Sequence, residues 1–256
     1  MVSASIKSSE IRFGECNKKL LEEVIFYGIS LGADFVELFI ENSDNSSVLA
    51  EEDFITNVSP SFGKGAGIRI FKDKRDGFVS TNDLSKHGLM RSVSQAIEML
   101  DISKKTNKLI FNGLEKLKDY SKSKIDWLNE VPTINEVSDK LLLSTKSLNK
   151  DNKVIVRKGS YSRNWQEVII ASSDGTYATD IRLHQTVGLN IIANDAQYRS
   201  NGSRRFGSHG IPNEFRLWDH EKAANEVYES SMNMLYADYV QAGQMPVVLA
   251  LSLIHI

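Results

Sequence analysis

The chain has 256 residues, 41% hydrophobic and 25% charged, a globular make-up that excludes wholesale disorder. A formal charge of −2 excludes a general electrostatic pull toward nucleic acid or anionic lipid. A single cysteine excludes an internal disulfide framework and fits a reducing compartment.

Met1 to Lys7 lack the apolar core of a signal peptide, and no window reaches the apolar length of a membrane span, so a cytoplasmic protein without membrane contact is expected. Residues 1–14 read as a flexible N-terminus and residues 15–101 as a first α+β unit. Asn17 is a fitting N-cap for a helix carrying Leu20, Leu21, Val24, Gly28 and Leu31 at helical spacing, with Gly32 as its stop. Phe35 to Glu41 alternates with the period of a strand, and Val48 to Phe54 is expected to pair with it. Gly65 to Phe71 and Gly77 to Thr81 read as two more strands around the polar turn Lys72 to Asp76. Leu89, Val93, Ala96, Ile97 and Leu100 mark an amphipathic helix capped by Asp83 or Ser85.

Residues 102–131 turn polar and lysine-rich and are expected to be a solvated connector, the plainer reading of such a charge run than a nucleic-acid tail. A second unit then covers residues 132–250. It opens on a capping box, Thr133 with Glu136, ahead of the stripe Ile134, Val137, Leu141, Thr145 and Leu148. Strands are expected at Val154 to Val156, at Trp165 to Ser172, and along the alternation Ile181, Leu183, Val187, Leu189 and Ile191, with Asp174-Gly175 as a hairpin turn. Asn201 to Pro212 reads as a Gly-rich loop, Asp219 as the cap of a further helix, and Met245 to Ala250 as the next strand. The fold class is therefore α+β in two subdomains, each a helix followed by antiparallel β-strands and a helix.

Candidate sites are few. His184 stands on the polar side of its alternation with Asp180 and Arg182, either as a ligand or acid/base group or as a surface histidine; the five histidines form no metal pair at helical spacing. Cys16 precedes a helix N-terminus, which favours a thiolate, but no histidine partner is identifiable and an ordinary thiol is the simpler reading. Gly63-Lys64-Gly65-Ala66-Gly67 lacks the Gly-Lys-Ser/Thr ending of a phosphate-binding loop. Arg199, Arg204 and Arg205 are candidate substrate-binding residues, able to take a carboxylate through forked donors from a loop lining a peptide channel; solvated loop arginines are the plainer alternative. Arg69 and Arg182 are expected to make structural ion pairs, and the strands between Lys153 and Asn201 offer a sheet edge for an extended peptide.

Leu251 to Ile256 coincide with the translation of CTGTCTCTTATACACATC, the mosaic-end adapter of transposon-based sequencing libraries. Residues 251–256 are therefore excluded from fold reasoning, and the natural chain is expected to continue past Ala250.

Gly32-Ala33-Asp34-Phe35-Val36-Glu37-Leu38, Gly65-Ala66-Gly67-Ile68-Arg69, Gly77-Phe78-Val79-Ser80-Thr81 and Ser172-Ser173-Asp174-Gly175 follow one another here, with Asp180 and Arg182 after them. Asn201-Gly202-Ser203-Arg204-Arg205-Phe206-Gly207 and Ala242 to Leu249 complete the set. In this order they resemble the N-terminal half of the TldD/PmbA (TldD/TldE) metallopeptidases, the last segment favouring the TldD branch. The resemblance implies a cytoplasmic zinc metalloprotease acting on peptides or unfolded proteins, paired as a heterodimer with a TldE/PmbA-like subunit. TldD carries a His-Glu-x-x-x-His motif whose imidazoles hold the metal and whose glutamate is the base. No such motif occurs in this sequence. The chain is thus expected to shape the substrate channel without hydrolysing peptides by itself, with no catalytic or metal residue of its own. A non-catalytic TldE/PmbA-like subunit and a protein-interaction module are the alternatives.

Overall fold

A computed structural model describes residues 16–100, 111–116, 130–196, 198–238, 241–244 and 246–248. Helix α1 (Lys18–Ser30) begins where the Asn17 side chain accepts from the Leu20 N–H at 3.1 Å, satisfying one of the amides that a helix leaves unpaired. It ends at Gly32, whose φ of 102° suits glycine. Strands β1 (Phe35–Glu51), β2 (Phe54–Lys72) and β3 (Arg75–Thr81) follow as an antiparallel meander. Ser85, one of the two candidate caps, starts α2 (Lys86–Met99) by accepting from Gly88 N–H at 3.1 Å.

Beyond the short β4 (Glu115–Lys116), the capping box of Thr133 and Glu136 forms in full at the start of α3 (Ile134–Ser147). Three long strands come next, β5 (Val154–Ser172), β6 (Thr176–Asp195) and β7 (Tyr198–His209), with Gly175 at φ 100° in the turn between the first two. A single-turn helix α4 (Glu214–Leu217) leads to α5 (His220–Leu235), capped by Asp219 on Lys222 N–H at 3.0 Å.

The seven strands of the described residues form one sheet in the order β3-β2-β1-β5-β6, antiparallel throughout that run. The outer edge of β6 carries β7 antiparallel along Leu183's C-terminal side and β4 parallel at Thr176 and Tyr177. The architecture is α+β, and the β1–β5 ladder joins the strands of both units into a single sheet.

The helices cover one face of the sheet in two groups. Helices α1 and α2 seal a core of Leu21, Val24, Ile25, Leu89 and Val93 against Val36, Leu38, Ile40, Ile68, Ile70 and Ile169. Helices α3 and α4 close Val137, Leu141 and Phe215 on Val48, Ala50, Tyr161 and Val187, and α5 lays Ala223, Ala224 and Val227 on Leu189 and Ile191. Each fully buried Leu, Ile or Val among these contributes about 1.5–3 kcal/mol. Because side chains alternate across a strand, Val36, Leu38 and Ile40 share a face with Val48 and Ala50. Between the two helical groups that same face carries Asp44, whose carboxylate takes Arg163 Nη2 at 3.1 Å.

This arrangement corrects the expected strand boundaries. Phe35 to Glu41 and Val48 to Phe54 are not partners: the first and most of the second run on as β1, and the pairing partner is β2. The polar run Asn42 to Ser47 resembles a turn in sequence because neither helical group covers it, not because the chain reverses there. Asn201 to Pro212 is likewise not a loop, since residues through His209 belong to β7. Gly202 is required because a Cβ there would stand 2.5 Å from the carbonyl oxygen of Val227 and 2.7 Å from Ser231 Cβ on α5. Pro246 to Val248 hold no regular structure, so the strand expected over Met245 to Ala250 is not present in its described part. Residues 1–14, most of the 102–131 connector and 251–256 lie outside the described residues.

Candidate functional site

The face of the sheet opposite the helices is paved with small polar side chains. Register places Ser61, Asn45, Asn164, His184 and His209 in one row across β2, β1, β5, β6 and β7. The next row along the strands is Ser59, Ser47, Ser162, Thr186 and Gly207, and the one after it Asn57, Leu49, Ser160, Gly188 and Arg205. A groove of about 430 Å³ lies over the first two rows, bordered by Asn45, Ser47, Ser61, Ser162, Asn164 and His184. A second, of about 440 Å³, continues it over Leu49, Ser160, Gly188 and Asn190 to Arg204 and Arg205. Glycine at 188 keeps this floor low, because a Cβ there would meet Ser160 Oγ at 2.6 Å and Arg205 Cγ at 3.9 Å.

All three candidate arginines are exposed on the outer strand β7. Alternation puts Arg199 and Arg205 on the polar face and directs Arg204 toward the helical one. Arg205 makes no ion pair among the described residues, whereas Lys158 across the same groove is held by Glu51 at 3.1 Å. Arg199, opposite Asn194 near the β6–β7 turn, does not border the groove. Arg69 and Arg182 make the expected ion pairs, with Asp76 at 3.0 Å and Asp180 at 2.7 Å.

His184 does meet a partner, but not the neighbours its own strand suggested. Its Nδ1 lies 3.2 Å from Nδ1 of His209, with ring centroids 4.4 Å apart and planes tilted by 42°. His209 escapes a reading of the sequence because its opposition to His184 exists only once residues 198–209 are a strand in register. The edge expected from Lys153 to Asn201 is mostly interior: β5 is paired on both sides from Lys158 to Ala171, and among the described residues the outer side of β7 and β6 over residues 178–183 remain unpaired.

Cys16 is buried in the first core, and burial pushes its thiol up to about 11, the opposite of an activated nucleophile. The glycines at 63, 65 and 67 sit within β2, where Gly67 lets the Phe78 ring pass 3.0 Å from the position of a Cβ; the segment is sheet, not a phosphate cradle. Asp174 is held below the usual carboxylate range by its hydrogen bond from Ser172 Oγ at 2.6 Å, then by the Thr176 amide, which fixes the turn between β5 and β6. Tyr161 donates to Gln185 Oε1 at 2.9 Å beneath the open floor, and burial pushes its phenol up to about 12.

A hydrolytic zinc centre takes three protein ligands and leaves a position for water. Among the described residues no three His, Cys, Asp or Glu side chains converge, so these residues do not compose such a centre. Nor is any helix among them long and apolar enough to cross a membrane.

Comparison with known proteins supplies the context. Residues 36–100 match the family model for PmbA/TldA metallopeptidase domain 1, and residues 121–235 match the model for the central domain of the same family. The metalloprotease TldD homolog of Haemophilus influenzae is 25% identical over 229 residues, covering 84% of this chain and 46% of that protein. A Buchnera aphidicola TldD homolog is 24% identical over 185 residues, 68% of this chain and 36% of its own length. The chain thus spans less than half the length of these relatives. Among solved structures, TldE from Thermococcus kodakarensis superposes with a TM-score of 0.68 at 18% identity, over 83% of this chain and 47% of that one. A putative modulator of a DNA gyrase from Thermotoga maritima does so with a TM-score of 0.69 at 15% identity, over 88% and 50%.

Proposed function

This chain belongs to the PmbA/TldD metallopeptidase family, and from that premise we propose that its open polar face is part of the substrate channel of a zinc-dependent peptidase. The observation that carries the proposal is Arg205, a cation without an ionic partner among the described residues, beside a groove floored by serine, asparagine and glycine. An extended peptide lies across such a floor by main-chain hydrogen bonds, which tolerate many sequences, while a forked guanidinium selects a carboxylate. Arg205 is the primary contact, with Arg204 at the rim of the groove and Arg199 on the same face beyond its end.

The whole protein, in this reading, is cytoplasmic, follows the TldD branch, pairs with a TldE/PmbA-like subunit, and holds its zinc with residues encoded after Ala250. The coverage of the relatives, 46% and 36% of their lengths, supports a longer gene product. The two units are 15–101 and 132–250, joined by 102–131; the separate helical cores support that division. Determining the genomic sequence after the Ala250 codon tests the branch: an in-frame His-Glu-x-x-x-His supports the peptidase, and a complete reading frame without it supports the non-catalytic subunit, a reading for which the fold match to TldE speaks.

For the groove itself, fluorescence anisotropy with labelled peptides bearing a free or an amidated C-terminus measures the carboxylate preference. Arg205→Ser is expected to weaken binding of the free-carboxylate peptide about tenfold, the lower end for a hydrogen bond to a charged group, and to leave the amidated peptide unchanged. Equal binding of both peptides to the wild-type chain refutes the assignment.

A further inference from the structure

We propose that His184 and His209 together bind one divalent first-row transition-metal ion, Cu²⁺ most tightly, on the open face of the sheet. The proposal does not depend on the peptide-channel reading.

Three observations carry it. The first is distance: two imidazole nitrogens on one ion at about 2.05 Å are about 2.9 Å apart at a right angle and about 3.3 Å apart at the tetrahedral angle. The two Nδ1 atoms stand at 3.2 Å, inside that interval. The second is rigidity. His184 and His209 are directly opposed in the β6–β7 ladder, which runs through twelve registered pairs to Asp195 and Tyr198, so the backbone sets the two side chains facing one another before any ion arrives. The third is availability. Both rings are exposed, and beyond their mutual contact neither has another hydrogen-bond partner among the described residues.

As a neutral pair the rings share one proton, an Nδ1–H of one donating to the lone pair of the other. Coordination requires that the donor ring take its Nε2–H tautomer, leaving two Nδ1 lone pairs for the ion and releasing no net proton. Asp180, which β6 places on the same face as His184, is engaged by Arg182 at 2.7 Å, and among the described residues no third His, Cys, Asp or Glu converges on the pair, so the protein donors are nitrogen and water completes the shell. Nitrogen donors exclude Mg²⁺ and Ca²⁺, which take oxygen, and order the first-row ions with Cu²⁺ above Ni²⁺ and Zn²⁺.

Isothermal titration of the full chain with CuCl₂, NiCl₂, ZnCl₂ and MgCl₂ tests the site. One Cu²⁺ per chain is expected, with weaker Ni²⁺ and Zn²⁺ and no Mg²⁺. His184→Asn and His209→Asn are each expected to weaken Cu²⁺ by at least about 100-fold, since loss of a ligand exceeds the ~10–100-fold cost of losing an outer partner. His87→Asn serves as the control and is expected to bind as wild type. Circular dichroism verifies that each variant folds, and electron paramagnetic resonance of the Cu²⁺ form should show two coupled nitrogens in the wild type and fewer in either variant. Cu²⁺ binding unchanged in His184→Asn/His209→Asn, or no stoichiometric Cu²⁺ in the wild type, overturns the proposal and leaves the pair a hydrogen-bonded contact.

Discussion

Substituting Gly202 by alanine asks whether the close seating of α5 on β7 is as unyielding as the geometry indicates. The new methyl group would stand 2.5 Å from the Val227 carbonyl oxygen, 2.7 Å from Ser231 Cβ and 3.1 Å from Ser231 N, all atoms at or next to helical main chain rather than the tips of flexible side chains. Relief therefore requires α5 to move. Such overpacking costs about 1–3 kcal/mol. The same displacement strains two buried hydrogen bonds, one that Ser200 Oγ donates to the Ser231 carbonyl at 2.9 Å and one that it accepts from the Ser231 hydroxyl at 2.8 Å, each contributing about 0.5–1.5 kcal/mol. A loss on the order of 3 kcal/mol is expected from urea unfolding followed by circular dichroism. Gly207→Ala is the matched control: it lies on the same strand, its Cβ meets nothing closer than 3.4 Å, and its expected change is within about 1 kcal/mol of zero. If the two variants unfold at the same urea concentration, the proposed clash with α5 is wrong.

Glu136 is pulled down to about 2, first by Arg216 and then by the Thr133 amide; a depressed carboxyl stabilises the fold above its unfolded value near 4.3, and that contribution fades as pH falls through the folded one. The stability gap between wild type and Glu136→Gln should thus be present at pH 7, below about 1 kcal/mol because the pair is partly exposed, and close between pH 4.5 and 2; a gap that persists at pH 2 contradicts this. Cys16, buried with a thiol at about 11, should react with a thiol-specific disulfide reagent at pH 8 only as fast as the protein unfolds, and a rapid reaction of the folded chain would count against its burial. Tyr161→Phe leaves Gln185 Oε1 without its buried donor and should cost about 1–3 kcal/mol by urea unfolding; a neutral result would mean that water reaches the amide.

The legible parts of the sequence were those whose physics is local. Asn17, Ser85, Thr133 with Glu136, and Asp219 each cap a helix three residues away, and Asp174-Gly175 turns a hairpin within four; every one of these stands where its pattern placed it. Strand extent was less legible, because alternation reports what covers a strand and not how long it is. Where cover lapses, at Asn42 to Ser47 in β1 and Ser162 to Asn164 in β5, the apolar signal lapses while hydrogen bonding continues. Misreading Gly202 and Gly207 as loop residues also hid the groove, since Arg205 reaches its floor only from a strand, and His209 meets His184 only across a ladder.

The continuity of the sheet also bears on mechanics and on how the molecule is dissected. β1 and β5, more than a hundred positions apart in the chain, are laced by fifteen registered pairs from Glu37 to Glu51. Two bodies sewn together along so long a seam do not swing like jaws, so any opening and closing over the groove must come from outside this plank. Cutting the gene between them would lay bare the full flank of β1 in one product and of β5 in the other, a template for intermolecular stacking. Each piece alone should precipitate or pair with copies of itself, and co-expression of both should rescue them.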